Sequence, residues 1–148
     1  MALQSILDYV AVRCAASITG LKACYSTAAS DEGAVGIPRS IDDGPVGFCL
    51  PGDGTADPGN WEQELHDFEV EVWVPAADMA YAYRTIIPFA GLFKAQFRTD
   101  LDNNETAVRV LYRGYRKPFY DDTAGKPFLV MPIQLEALEI RASDDYQT

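Results

Sequence analysis

The single histidine of this chain, His66, is the first residue to consider for catalysis or metal binding. A neutral imidazole acts as a general base or binds a metal near neutral pH. Asp67 and Glu69 follow His66 closely. In an extended strand, however, Asp67 points to the opposite face, and no nucleophile accompanies the histidine. The sequence therefore favours a surface or interface histidine over a catalytic one.

Three carboxylates, Asp53, Asp57 and Glu62, lie in a segment rich in Gly and Pro. An EF-hand calcium loop needs oxygen ligands at alternating positions and a glutamate at the twelfth, and GDGTADPGNWEQ does not supply that order. The segment also lacks the glycine patterns that cradle phosphate. We interpret it as a turn-rich loop. We predict no catalytic residue, no metal site and no cofactor, and expect that the protein is not an enzyme.

Basic and aromatic side chains are interleaved over residues 109–120. The members of this patch are Arg109, Tyr112, Arg113, Tyr115, Arg116, Lys117, Phe119 and Tyr120. Such interleaving can bind single-stranded nucleic acid. The formal net charge of −10 argues against an electrostatic grip on DNA, and Arg and Tyr are favoured anchors of protein interfaces. We therefore predict a protein contact through Arg113, Tyr115, Arg116 and Tyr120.

The two tryptophans, Trp61 and Trp73, are further candidates for a partner interface. Trp61 follows the Gly/Pro-rich loop. Trp73 stands in line with carboxylates, where exposure of an indole to water is costly. Two alternatives remain open for Trp73: a partner surface covers it, or a helix or the long loop of the same chain packs against it.

Length and composition indicate one folded domain. A chain of 148 residues fits one domain, and no apolar run approaches the ~20 residues of a membrane helix. The N-terminus lacks a basic region followed by an apolar one, so we predict no signal peptide. Cys14, Cys24 and Cys49 cannot all pair within one chain and lack metal-ligand spacing. We expect reduced, mostly buried thiols and synthesis in a cytoplasm.

The element that carries the clearest pattern is a strand over residues 66–74. Phe68, Val70, Val72 and Val74 alternate with Asp67, Glu69, Glu71 and Trp73, which is the period of a strand with two unlike faces. The first set is predicted to face the core. The second set is predicted to face solvent, a neighbouring subunit or the lumen of an assembly, with Asp67, Glu69 and Glu71 as its acidic part.

Periodicity and turn residues place the other elements around this strand. Helices are predicted over 5–18 and 79–97. Ser5, with Asp8 three residues on, is the predicted N-cap of the first helix, whose apolar stripe is Ile6, Leu7, Val10, Ala11, Cys14, Ala15 and Ile18. Asp78 is the predicted cap of the second helix, whose apolar stripe is Ile86, Ile87, Ala90, Phe93 and Phe97, and Pro88 should kink that helix or split it in two. Further strands are predicted over 21–25, 46–50, 106–115 and 128–140, and the last of these reads as one strand or two. The order predicts an α+β domain with a mainly antiparallel sheet and two principal helices packed on it. The loops 26–44, 51–65 and 116–127 are candidates to reach a neighbour.

The layout resembles the tail terminator, or tail completion, proteins of long-tailed bacteriophages. The resemblance lies in a helix that runs into ITGLKACY, then PVGFCLPGDG, HDFEVEVWV, a helix of about 20 residues and paired strands ending in IQLEALEI. It covers most of the chain, from Ser5 to Arg141. It rests on element order and residue character, so no individual functional residue is carried over from the family.

The resemblance implies a structural virion protein of the tail or neck. In that family a single small domain, here 1–148 with a polar tail over 142–148, forms a ring, usually a hexamer. The ring caps the tail tube, ends its polymerisation and joins the head connector, and DNA passes through the lumen without specific binding. The expected partners are the tail tube protein and a connector or stopper protein, with no membrane. The alternatives are another neck protein, such as a connector or stopper, and a small α+β ligand-binding module or enzyme.

Overall fold

The computed structural model describes residues 3–26, 44–56, 63–97, 108–123 and 125–140. Within them lie two helices, α1 (Leu3–Ser17) and α2 (Met79–Phe97). The strands are β1 (Ala23–Ser26), β2 (Val46–Ala56), β3 (Gln63–Pro75), β4 (Val108–Tyr115), β5 (Phe119–Asp121) and β6 (Phe128–Ile140). They form one sheet in the order β1-β2-β3-β6-β4, with β5 also paired to β6. This is the predicted α+β class.

Among the described strands, β1 and β2 are parallel and every other pair is antiparallel. A parallel neighbour requires a crossover connection of about a dozen residues or more, because the chain must return to the end of the sheet where β1 began. Residues 27–43, the main part of the predicted connection, lie outside the described residues. The parallel pairing of β1 with β2 is by itself a reason for a connection of this length. It holds whether or not residues 27–43 also contact a neighbouring subunit.

One face of the sheet carries the main core. The side chains of β3 predicted to face the core, and those of β6 beside them, are at most 1% exposed: Phe68, Val70, Val72, Val74, Ile133, Leu135 and Ala137. Helix α1 packs on the β1–β2 half of this face, and α2 packs on β3, β6 and β4. Burial of each large apolar side chain contributes roughly 1.5–3 kcal/mol. The alternation read from the sequence is thereby confirmed for the core face.

Helix α1 buries the predicted apolar stripe, except that Ala15 is exposed. The helix begins at Leu3, two residues before Ser5, which was the predicted N-cap. Asp8 has a different task from the predicted capping box: its carboxylate accepts a hydrogen bond from the Ser26 hydroxyl. The bond ties α1, at the half-buried Asp8, to the end of β1.

Helix α2 runs without a break through Pro88, so of the two predicted outcomes, a kink or a split, the split is wrong. Pro88 is exposed, and the carbonyl of Arg84, which loses its i+4 donor, is on the side that water can reach. The Asp78 carboxylate accepts a hydrogen bond from the Tyr81 N–H at 3.2 Å, as the predicted cap requires. Ile87, assigned to the buried stripe, is instead exposed.

Strand β2 continues to Ala56, through residues predicted to be a loop. Pro51 stands at a bulge and beyond the last described pairing with β1, two settings in which a strand tolerates proline. A Cβ at Gly52 would lie 2.7 Å from the carbonyl oxygen of Asp67. Gly52 is therefore required for close approach of the backbone to β3, and the Pro-Gly pair is not a turn here.

Strand β6 is continuous through Pro132, which settles the prediction of one strand or two. The Pro132 carbonyl accepts a hydrogen bond from the Arg116 N–H at 2.9 Å. Since the N–H and C=O of a strand residue point to the same side, the missing N–H of Pro132 faces residues 116–118. There β4 has ended and β5 has not begun. The short strand β5 itself lies where the sequence predicted a polar loop.

Candidate functional site

The second face of the sheet carries a small aromatic cluster, which comprises Phe48, Trp73 and Phe128. The Trp73 ring lies 5.7 Å from that of Phe48 and 5.6 Å from that of Phe128, centroid to centroid. Val46 and Val130, opposite Trp73 in the register, complete the cluster. Trp73 is only 3% exposed. The chain itself therefore covers Trp73, which offers almost no surface to a partner, contrary to its place among the predicted interface residues.

Glu71 borders the aromatic cluster and is half-buried. Its carboxylate accepts a hydrogen bond from the Trp73 indole N–H at 3.2 Å. Burial raises the pKa of Glu71, and the charges of Glu69 and Asp121 raise it further, while the Trp73 bond opposes the shift. A carboxylate on this face is thus held beside an apolar cluster at some cost in stability.

The predicted acidic face is also the place where the predicted arginines lie. Arg116 forms an ion pair with Glu69, at 3.1 Å, and Arg113 approaches Glu136 at 3.8 Å. Asp67 is exposed, and these groups line a polar groove of about 600 Å³ with Gln134. Both arginine side chains remain well exposed. The structure therefore combines two residue sets that the sequence treated as separate into one surface of mixed charge.

An exposed aromatic edge lies on the other side of the β4–β5 region, against α2. It comprises Tyr83, Ile87, Tyr115 and Tyr120, whose exposures range from 38% to 57%. Phe119, which lies opposite Val130, is exposed on the other face of the sheet. Between α2 and the strands is a mainly apolar groove of about 350 Å³. Its walls are Tyr83, Ile87, Ala90, Tyr115, Pro118 and Met131, with Lys117 at the rim. Exposed apolar side chains gathered in this way are typical of protein interaction surfaces and ligand-binding grooves.

A bulge in β4 directs Tyr115 into this groove. Tyr112 lies opposite Leu135, and Tyr115 opposite Ile133, so both tyrosines are on the face that the helices cover. Strict alternation would have put them on opposite faces. The extra residue falls between Tyr112 and Gly114, and Gly114 has a φ of 137°, a backbone conformation that favours glycine. Gly114 is the sequence signal for this reversal.

The remaining sequence candidates have different outcomes. His66 is buried, 7% exposed, and lies opposite Ala137 on the core face, so the prediction of a surface or interface histidine is wrong. Trp61, Asp57 and Glu62 lie outside the described residues. Tyr120 is exposed at the aromatic edge. The sequence did not identify Tyr83 and Ile87 as groove residues. The apolar spacing of a helix indicates which face is buried, but not where the sheet stops covering that face.

Three thiols meet between α1, β1 and β2. Cys24 Sγ is 3.8 Å from Cys49 Sγ, and none of the three cysteines forms a disulfide. Hydrogen bonds from Cys14, and then from Cys49, lower the pKa of Cys24 against the opposing effect of burial. The same bonds, together with burial, raise the pKa of Cys14 and Cys49. Cys14 and Cys49 are buried and Cys24 is half-buried, which agrees with the prediction of reduced, mostly buried thiols.

Two structural properties bear on ligands and membranes. Over the described ranges, no group of three or more His, Cys, Asp or Glu side chains is arranged to hold a metal ion. Neither α1 nor α2 has the length and apolar character that crossing a bilayer demands.

Comparison with known proteins supports the fold alone. No protein-family model matches the chain, and no curated protein matches it. One solved structure is similar over 95% of this chain and 98% of its own length, with 17% sequence identity and a TM-score of 0.51. The name of that protein says nothing about its function. Since the similarity extends over nearly all of both chains, the α+β arrangement is shared as a whole.

Proposed function

We propose that this chain is a structural subunit of a long-tailed bacteriophage virion: a tail terminator that forms a hexameric ring on the end of the tail tube. In this role it ends tube polymerisation and presents a surface to the head connector or stopper protein. The proposal joins the resemblance in element order to the surface properties of the folded chain.

The observation that carries the proposal is the aromatic edge. Eight of the ten large apolar side chains described as exposed lie on α2 or on the β4–β5 segment. Scattered apolar residues at a surface need no explanation, but a concentrated group beside a groove favours a protein partner. A ring subunit must present such a surface to its neighbour in a heterologous contact.

The chemistry of the described surfaces favours assembly over turnover. An enzyme needs convergent polar groups around a reacting atom. The 350 Å³ groove is lined mainly by apolar side chains, and the arginines of the 600 Å³ groove are paired with carboxylates of the same chain. Both features suit recognition of another protein surface.

Net charge supports a role beside moving DNA. Six copies at −10 each amount to about −60 for the ring. A wall of that sign repels phosphate and keeps DNA from adhering. Arg113 and Arg116 reduce the local negative charge near Glu69 and Glu136, so the strongest repulsion is expected away from these pairs.

The test combines the mass of the native assembly with electron microscopy of virions made without this protein. A ring of fixed stoichiometry and overlong tail tubes in its absence are the expected results. Filled heads without attached normal tails would instead assign the chain to the connector or stopper class. A strictly monomeric protein that also fails to cap tail tubes would refute the proposal.

A further inference from the structure

We propose that the groove of the aromatic edge receives the loop over residues 57–62 of a second copy of this chain, with Trp61 as the inserted side chain. This inference rests on the ring proposed above and names the contact that builds it. The contact is heterologous, since the loop of one copy meets the groove of the next and each copy has both parts.

Charge complementarity identifies the partner segment. The residues that line the groove include Lys117 and no Asp or Glu, and α2, which forms one wall, carries Arg84 and Lys94 and no carboxylate, in a chain of net charge −10. Residues 53–64 contain four carboxylates, no basic residue and Trp61. A mainly apolar groove with one lysine and no carboxylate is complementary, in both charge and apolar character, to an acidic segment with one indole.

The scale of the groove fits this occupant. Its volume of about 350 Å³ is at the lower end of the range of ligand pockets, about 300–1,000 Å³, and so accommodates a large side chain with its neighbours rather than a whole element. Tyr83 and Tyr115 present ring surfaces, Ile87 an aliphatic one, and Lys117 a cation at the rim. Aromatic anchors that enter pockets of this kind supply most of the energy of protein contacts.

The segment over residues 57–62 is too short to enter the groove of its own copy. The loop leaves the sheet where Gln63 lies opposite Ile140, whereas Met131 of the groove lies opposite Val72. These points are nine residues apart along β3, or about 30 Å. Six residues anchored at both ends extend about 10 Å beyond the strand ends. The loop can therefore enter only the groove of another copy.

Charge reversal tests the contact in the full-length protein. Lys117→Glu in the groove and Glu62→Lys in the loop should each weaken self-association by about 10-fold or more, through like-charge repulsion, and the double variant should regain most of it. Lys22→Glu is the matched control, since Lys22 is exposed on the segment before β1 and should leave association unchanged. Trp61→Ala should weaken association by about 30-fold. Sedimentation equilibrium over a concentration series measures all of these.

Cross-linking supplies a second measurement that does not depend on loss of assembly. Asp57→Cys and Lys117→Cys proteins, mixed and treated with a short bismaleimide, should give a product that contains one chain of each variant. Neither variant treated alone should give a cross-linked dimer. Absence of the product, together with a ring insensitive to Lys117→Glu and Trp61→Ala, overturns the contact and leaves the proposed function standing.

Nucleic acid is the competing occupant. If Lys117→Glu abolishes salt-dependent binding of a single-stranded oligonucleotide without altering the mass of the assembly, the groove serves nucleic acid and our inference is wrong. Failure of the ring proposal is seen separately, in the mass of the unsubstituted protein before any variant is made.

Discussion

The aromatic cluster and the aromatic edge are built from the same kinds of side chain but differ in exposure. Phe48, Trp73 and Phe128 are 1–3% exposed, whereas the four members of the edge are 38–57% exposed. The cluster completes its own packing within the chain, so its aromatic residues serve stability. The edge has a groove and no cover among the described residues, so its aromatic residues are available for association. Residue type alone does not separate the two roles.

The largest expected effect comes from breaking the cluster. Trp73→Ala should lower the free energy of unfolding by about 3–5 kcal/mol, because it removes a buried aromatic side chain and leaves a cavity. Urea denaturation at a fixed protein concentration measures it. Tyr120→Ala, an exposed aromatic truncation, is the control and should change stability by less than about 0.5 kcal/mol. Equal losses from the two substitutions would contradict the distinction between cluster and edge.

The next effect sharpens the role of the edge. Tyr115→Ala should change the stability of the isolated subunit by less than about 0.5 kcal/mol and weaken self-association by about 1–3 kcal/mol. Circular dichroism melts and sedimentation equilibrium separate the two quantities. Val12→Ala is the control, since Val12 is an exposed apolar residue on α1, away from the edge. Comparable loss of association in both variants would remove the special status of the edge.

A smaller effect concerns the boundary of the cluster, at Glu71. Burial raises the pKa of Glu71 in the folded state, so between the ordinary and the raised pKa the folded chain binds more protons than the unfolded chain. Stability then falls as pH rises through that interval, and the penalty is fully present above it. Glu71→Gln, which keeps an acceptor for Trp73, should raise stability at pH 7 and flatten this decline. Unfolding free energies of the two proteins are measured by denaturation from pH 4 to 8. If they change in parallel over this range, Glu71 does not cause the decline.

The smallest effect is expected at the mixed-charge surface. Arg116→Ala removes the ion pair with Glu69, which is well exposed on the arginine side and screened by solvent. The loss of unfolding free energy should be below about 1 kcal/mol, and it should shrink further at high salt. Chemical denaturation with and without added salt measures it. A loss larger than that of Trp73→Ala would mean that ion pairs, and not the cluster, stabilise this face.

Sequence reasoning recovered the parts of the fold that depend on local pattern. The alternation of β3 predicted its core residues, and Asp78 predicted the start of α2, because both signals lie within a few residues of the element they define. It missed the parts that depend on neighbours across the sheet. Gly52 and Pro51 read as a turn, yet they are strand residues that fit because β3 approaches closely on one side and β1 has ended on the other.

For the candidate site, the sequence identified Tyr115 and Tyr120 but not the surface they belong to. The reversal at Gly114, which places Tyr115 beside Tyr83 and Ile87, is a property of the pairing between β4 and β6. The ion pair between Arg116 and Glu69 likewise joins residues far apart in sequence. The prediction that Trp73 lies at an interface was wrong, because period-two alternation shows which face of the sheet a side chain is on but not whether that face is covered.

The position of β6 has a consequence for synthesis. β6 lies between β3 and β4, and its thirteen register pairs with β3 run from Gln63↔Ile140 to Pro75↔Phe128. A ribosome that has made residues 1–127 has released β3 without the strand that occupies its second edge. The nascent chain therefore holds an apolar strand with an open edge until the last described element emerges, the state in which strands pair with the wrong chain. Truncation before Phe128 is expected to give aggregated protein rather than a smaller folded domain.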